Sequence, residues 1–114
     1  MICMRSLIAV LLLLGDLPDI ALSFTPHVGF APLTIQAKVS IKPNYQNTGF
    51  CVEWASDDGS YDGASCQTLD GQYERMIQHL TLKHFPAGHY SIFAVVYRAQ
   101  TAIQTPIQRL QVVP

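Results

Sequence analysis

The stretch "GFAPLTIQAKVSI", Gly29 to Ile41, sets Leu33, Ile35, Ala37, Val39 and Ile41 at every second position, with Thr34, Gln36, Lys38 and Ser40 between them. A period of two places the apolar set on one face of a β-strand and the polar set on the other. Such a strand is half-buried and needs partners elsewhere in the chain. Just upstream, "FTPHVGFAP" holds two prolines and a glycine, which exclude helix and suit an extended edge segment.

Downstream, turn signals at Pro43-Asn44 and Asn47-Thr48-Gly49 precede "FCVEWA", where Phe50, Val52 and Trp54 face one way and Cys51, Glu53 and Ala55 the other. "SDDGSYDGAS" reads as a loop, because its residues favour turns and tolerate positive φ. A short strand is expected through Cys66 to Leu69, and Asp70-Gly71 marks the next turn. "RMIQHLTLK" alternates again, with Gln78 interrupting its apolar row. "FPAGHYSIFAVVYR" sets Tyr90, Ile92, Ala94 and Val96 against Ser91, Phe93, Val95 and Tyr97, and "PIQRLQVV" supplies a last strand. No run has the i, i+3, i+4, i+7 spacing of an amphipathic helix. The expected fold is all-β: a two-sheet antiparallel immunoglobulin-like β-sandwich, with Trp54 on an inner strand and Tyr90 as a corner tyrosine.

The first residues, "MICMRSLIAVLLLLGDLPDIALS", combine Arg5, the apolar run Leu7 to Leu14 and the small-residue ending Ala21-Leu22-Ser23. They read as an N-terminal signal peptide, residues 1–23, cut after Ser23. The run is well short of the ~20 residues that span a bilayer, so no stable membrane span is expected. The domain is then 24–114, and its location is secreted or periplasmic. In an oxidising compartment the remaining pair, Cys51 and Cys66, is expected to form a disulfide.

Charge excludes one class of partner. Lys38, Lys42, Arg75, Lys83, Arg98 and Arg109 balance Glu53, Asp57, Asp58, Asp62, Asp70 and Glu74 in the domain, and along the sequence they are scattered. Without a basic stripe to release counterions, nucleic acid is not an expected partner. Nor does the chain hold a nucleophile elbow, a His-Glu-x-x-His pair or a phosphate loop, so an enzyme is not expected. His79, His84 and His89 are spaced five apart and define no metal face. No cofactor is required. Calcium is the one ion that composition suggests, with Asp58, Ser60 and Asp62 ahead of Gly63 in "DGSYDG", although Leu69 stands where a closing glutamate belongs.

Three pieces resemble PKD-type immunoglobulin-like domains: "GFAPLTIQA", "EWASDDG" and "FPAGHYSIFAVVY". What the resemblance implies is a non-catalytic module for adhesion, spacing or binding outside the cell. The expected function is accordingly a secreted binding or adhesion module for an extracellular protein or glycan. The alternatives are a self-associating structural subunit and a secreted enzyme inhibitor. Two places could bind. One is the outward face Phe93, Val95 and Tyr97, which is apolar where a sandwich should be polar. The other is the loop residues Asp57, Asp58, Tyr61 and Asp62. A bond from Cys51 to Cys66 could instead draw the loop over that face and lay Tyr61 or Tyr73 across it.

Overall fold

The computed structural model describes residues 18–69 and 74–114; the expected leader up to residue 17, and Tyr73, lie outside the described residues. Nine strands follow in order: β1 (Ile20–Thr25), β2 (Val28–Phe30), β3 (Leu33–Ile41), β4 (Asn47–Ser56), β5 (Asp62–Thr68), β6 (Met76–Phe85), β7 (Gly88–Arg98), β8 (Ala102–Gln104) and β9 (Gln108–Val113). A smaller sheet runs β1-β3-β6, and a larger one runs β2-β9-β7-β4-β5 with β8 also paired to β7. All pairings are antiparallel except β2 on β9. The chain is a two-sheet immunoglobulin-like sandwich.

Alternation in β3 and β7 builds the core. Ile35, Ala37, Val39 and Ile41 face Tyr90, Ile92, Ala94 and Val96 within one cluster that also takes in Phe50, Val52, Leu82, Phe85, Leu110 and Val112. In β6, Leu82 and Phe85 are both buried although three residues apart, which a plain period of two forbids. An irregularity resolves this: Leu33 pairs with Phe85 but Ile35 with Leu82, and His84 takes φ 67°. The extra residue turns Phe85 back to the core. The corner tyrosine is present, since Tyr90 Oη donates a 2.6 Å hydrogen bond to the Pro86 carbonyl and its ring meets Phe85 edge-on. Burial raises the Tyr90 phenol above its ordinary pKa.

Residues on both sides of the boundary expected after Ser23 lie in β1, which is paired with β3 from Ile20 opposite Ile41 to Thr25 opposite Gln36. Ile20, Leu22 and Phe24 are buried in the core. Ahead of them, Asp19 pairs with the Arg98 guanidinium at 2.9 Å and accepts the Lys42 amide through its carbonyl. Arg98 also holds the buried Asn47 through Nε, tying β1, β4 and β7 together at one end. The loop expected over "SDDGSYDGAS" is shorter: β5 begins at Asp62, and only a tight turn separates it from β4. Its small and polar residues carry little β-propensity, and pairing with β4 along its whole length supplies what propensity lacks. β8, with three residues, is too short to show a period and is not expected from the sequence.

Candidate functional site

The outer face of β4, β5 and β7 gathers most of the residues singled out from the sequence. Cys51 and Cys66 stand directly opposite each other on adjacent strands, their Cα atoms 4.0 Å apart, and form the expected disulfide. It joins two strands of one sheet rather than the two sheets. Cys66 is exposed on β5, an edge strand, while Cys51 is half-buried. On the other side of Cys51 lies Val95, itself followed in register by Gln104 of β8. Val95 is 6% exposed yet outside the core cluster, so it is closed off on the outer side. Phe93 is half-buried opposite Glu53, and Tyr97 is exposed opposite Gly49. A shallow depression opens beside the disulfide, lined by Gly49, Cys51, Cys66, Gln67, Thr68 and Tyr97.

The alternative cover by Tyr61 is corrected: that ring turns inward, 5.7 Å from Phe85 and 6.1 Å from Tyr90, and plugs the end of the core. Beside it, Trp54 packs on Phe85, and Gly63 lies so close under the indole that a Cβ there would come within 2.6 Å of it. Tyr61 therefore anchors the β4–β5 turn to the core.

The acidic residues of the turn are engaged locally. The Asp58 carboxylate accepts the Ser60 amide at 3.0 Å and the Ser60 hydroxyl at 2.7 Å, and these bonds hold its pKa below the usual carboxylate value. Asp62 accepts the Ser56 amide at 3.2 Å. Asp57 meets Arg109 through two hydrogen bonds, 2.6 and 3.0 Å, which lower the pKa of the acid and raise that of the guanidinium. Asp58, Ser60 and Asp62 each serve the turn, and among the described residues no three His, Cys, Asp or Glu side chains come together as a metal set. The histidines are equally dispersed: His27 stacks on Phe24, His79 lies on the smaller sheet, His84 sits at the bulge and His89 opens β7.

No family model and no curated protein matches the chain, so the PKD-type resemblance rests on the quoted motifs alone. Among solved structures, the sandwich is similar to a superoxide reductase (neelaredoxin) from Ignicoccus hospitalis. The likeness has a TM-score of 0.63 at 13% identity and covers 89% of this chain and 85% of the other. At that identity the fold alone is shared. The match corrects the functional expectation drawn from the PKD-type resemblance: a superoxide reductase carries the same fold, so the architecture does not single out a non-catalytic adhesion module. The described residues nevertheless do not fit a metal centre, because Cys51 and Cys66 are bonded to each other and no ligand set converges.

Proposed function

We propose that this protein is a thiol–disulfide redox protein of an oxidising compartment, outside the cytoplasm, with the Cys51–Cys66 pair as its reactive group. The observation that carries the reading is the placement of the bond: exposed at Cys66, on a sheet edge, and bridging strands already held together from Gly49 opposite Thr68 to Ala55 opposite Asp62. Opening it leaves that ladder in place. The similarity to a redox enzyme supports the same direction, and the disulfide itself suits a secreted or periplasmic site.

The chemistry follows from exposure. A substrate thiolate attacks the accessible Cys66 sulfur, the Cys51 sulfur leaves as a thiolate and is protonated, and a mixed disulfide forms at Cys66. A second substrate thiol, deprotonated, attacks the substrate sulfur of that mixed disulfide and displaces the Cys66 thiolate. Two substrate thiols become one disulfide, and the protein gains two electrons and two protons. The depression beside Tyr97 leaves room for the approaching group.

Two variants test the assignment of roles. Cys51→Ala leaves an exposed thiol at Cys66, which should form a mixed disulfide with oxidised glutathione readily, seen as added mass. Cys66→Ala leaves the half-buried Cys51 and should react much more slowly. Equal rates, or no adduct at Cys66, would contradict the proposal.

A further inference from the structure

Lys38, Arg75, His79 and Lys83 are far apart in sequence and share one surface. In the smaller sheet Lys38 lies directly opposite His79, and on its other side opposite Ser23, so a Ser-Lys-His row crosses all three strands. Lys83 follows on the same face of β6, about 13 Å from His79 at the rise of an extended strand. At the other end Arg75 donates a 2.8 Å hydrogen bond to the outward Ser40 hydroxyl, which turns its guanidinium over the sheet. None of β1, β3 and β6 contains an aspartate or glutamate. The described acids lie on the larger sheet, on its turn, or beyond the strand ends at Asp19 and Glu74. One apolar side chain, Ile77, stands 50% exposed between Arg75 and His79.

We infer that this face docks on an anionic lipid surface. Charge complementarity is the ground: a carboxylate-free sheet with spaced cations and an exposed isoleucine matches the headgroup region of a bilayer. The inference does not depend on the redox reading of the opposite sheet.

Flotation of the full chain with vesicles of phosphatidylcholine, with and without phosphatidylglycerol, tests it. Phosphatidylglycerol should strengthen binding, and added salt should remove the gain. Lys38→Gln with Lys83→Gln should weaken the phosphatidylglycerol-dependent part about 25-fold, at about fivefold per charge, and leave the phosphatidylcholine baseline alone. Equal binding to both vesicles would overturn the inference, as would a double variant that binds like wild type. Binding to soluble dextran sulfate that vesicles do not compete away would also overturn it, pointing to a soluble polyanion instead. Should the double variant melt below wild type, Arg75→Gln and the salt dependence of the wild type decide the matter by the same criteria.

Discussion

The two outer faces of the sandwich are built by the same alternation and end in different chemistry. On the smaller sheet, Thr34, Gln36, Lys38, His79, Thr81 and Lys83 all point to solvent, and even the cross-strand contact between Thr81 and Gln36 is a hydrogen bond. On the larger sheet, Phe93, Val95 and Tyr97 occupy the equivalent outward places, next to a disulfide. The contrast teaches that alternation fixes which side a residue takes, while the neighbours across the strand decide what that side is for. Cations without acids make one face a docking surface. Apolar side chains around a sulfur pair make the other a place where thiols can meet.

The largest effect expected is on the strand that joins the smaller sheet to the segment ahead of it. A chain starting at Phe24 loses Ile20, Leu22 and the Asp19 partner of Arg98. Burial of each aliphatic side chain contributes about 1.5–3 kcal/mol, which together with the lost ladder is a large share of a small domain's stability. That chain should be unfolded by circular dichroism where one starting at Pro18 is folded. A cooperative melt from the shorter chain would break the account of the smaller sheet.

On the larger sheet, Cys51→Ala with Cys66→Ala should lower stability by no more than about 3 kcal/mol, the chain-entropy value for a loop of this length, and leave a folded protein in denaturant titration. Gly63→Ala drives a methyl group into the Trp54 ring and should cost about 1–3 kcal/mol, with the bulkier Gly63→Val worse. Tyr90→Phe, which removes only the corner hydrogen bond, should cost about 1 kcal/mol.

The smallest effects are those of pH. Asp57 and Asp58 have lowered pKa values in the folded state, so they bind protons less readily there than in the unfolded chain. Their contribution is present above the unfolded carboxylate pKa and is lost as pH falls through the folded values. Arg109→Gln should flatten the Asp57 part of that acid limb in melts followed against pH. Tyr90 has the opposite sign. Its raised pKa means stability is retained below about 10, the ordinary phenol value, and declines as pH rises through the folded value.

Much of the sandwich was legible from the chain because β3 and β7 alternate strictly and bury the apolar set they display. Tyr90 and the cysteine pair were legible too, each through a local rule. β1 was hidden by a coincidence: Ile20, Leu22 and Phe24 alternate like a strand, but Ala21-Leu22-Ser23 also ends a signal peptide as a peptidase requires. The inward turn of Tyr61 could not be seen, since a turn's composition does not say on which side of a sheet its aromatic residue will pack. The basic face was equally invisible. Its members are dispersed along the sequence, and only the register of β3 against β6 sets Lys38 beside His79.

The measurement closest to the central claim is the reduction potential of Cys51–Cys66 in dithiol buffers, with free thiols counted and circular dichroism recorded on the same samples. The account predicts a reversible two-electron transition above about −300 mV, with the sheet signal unchanged. Reduction only at lower potential, or only together with loss of the fold, would show the bond to be a structural staple and contradict the redox assignment.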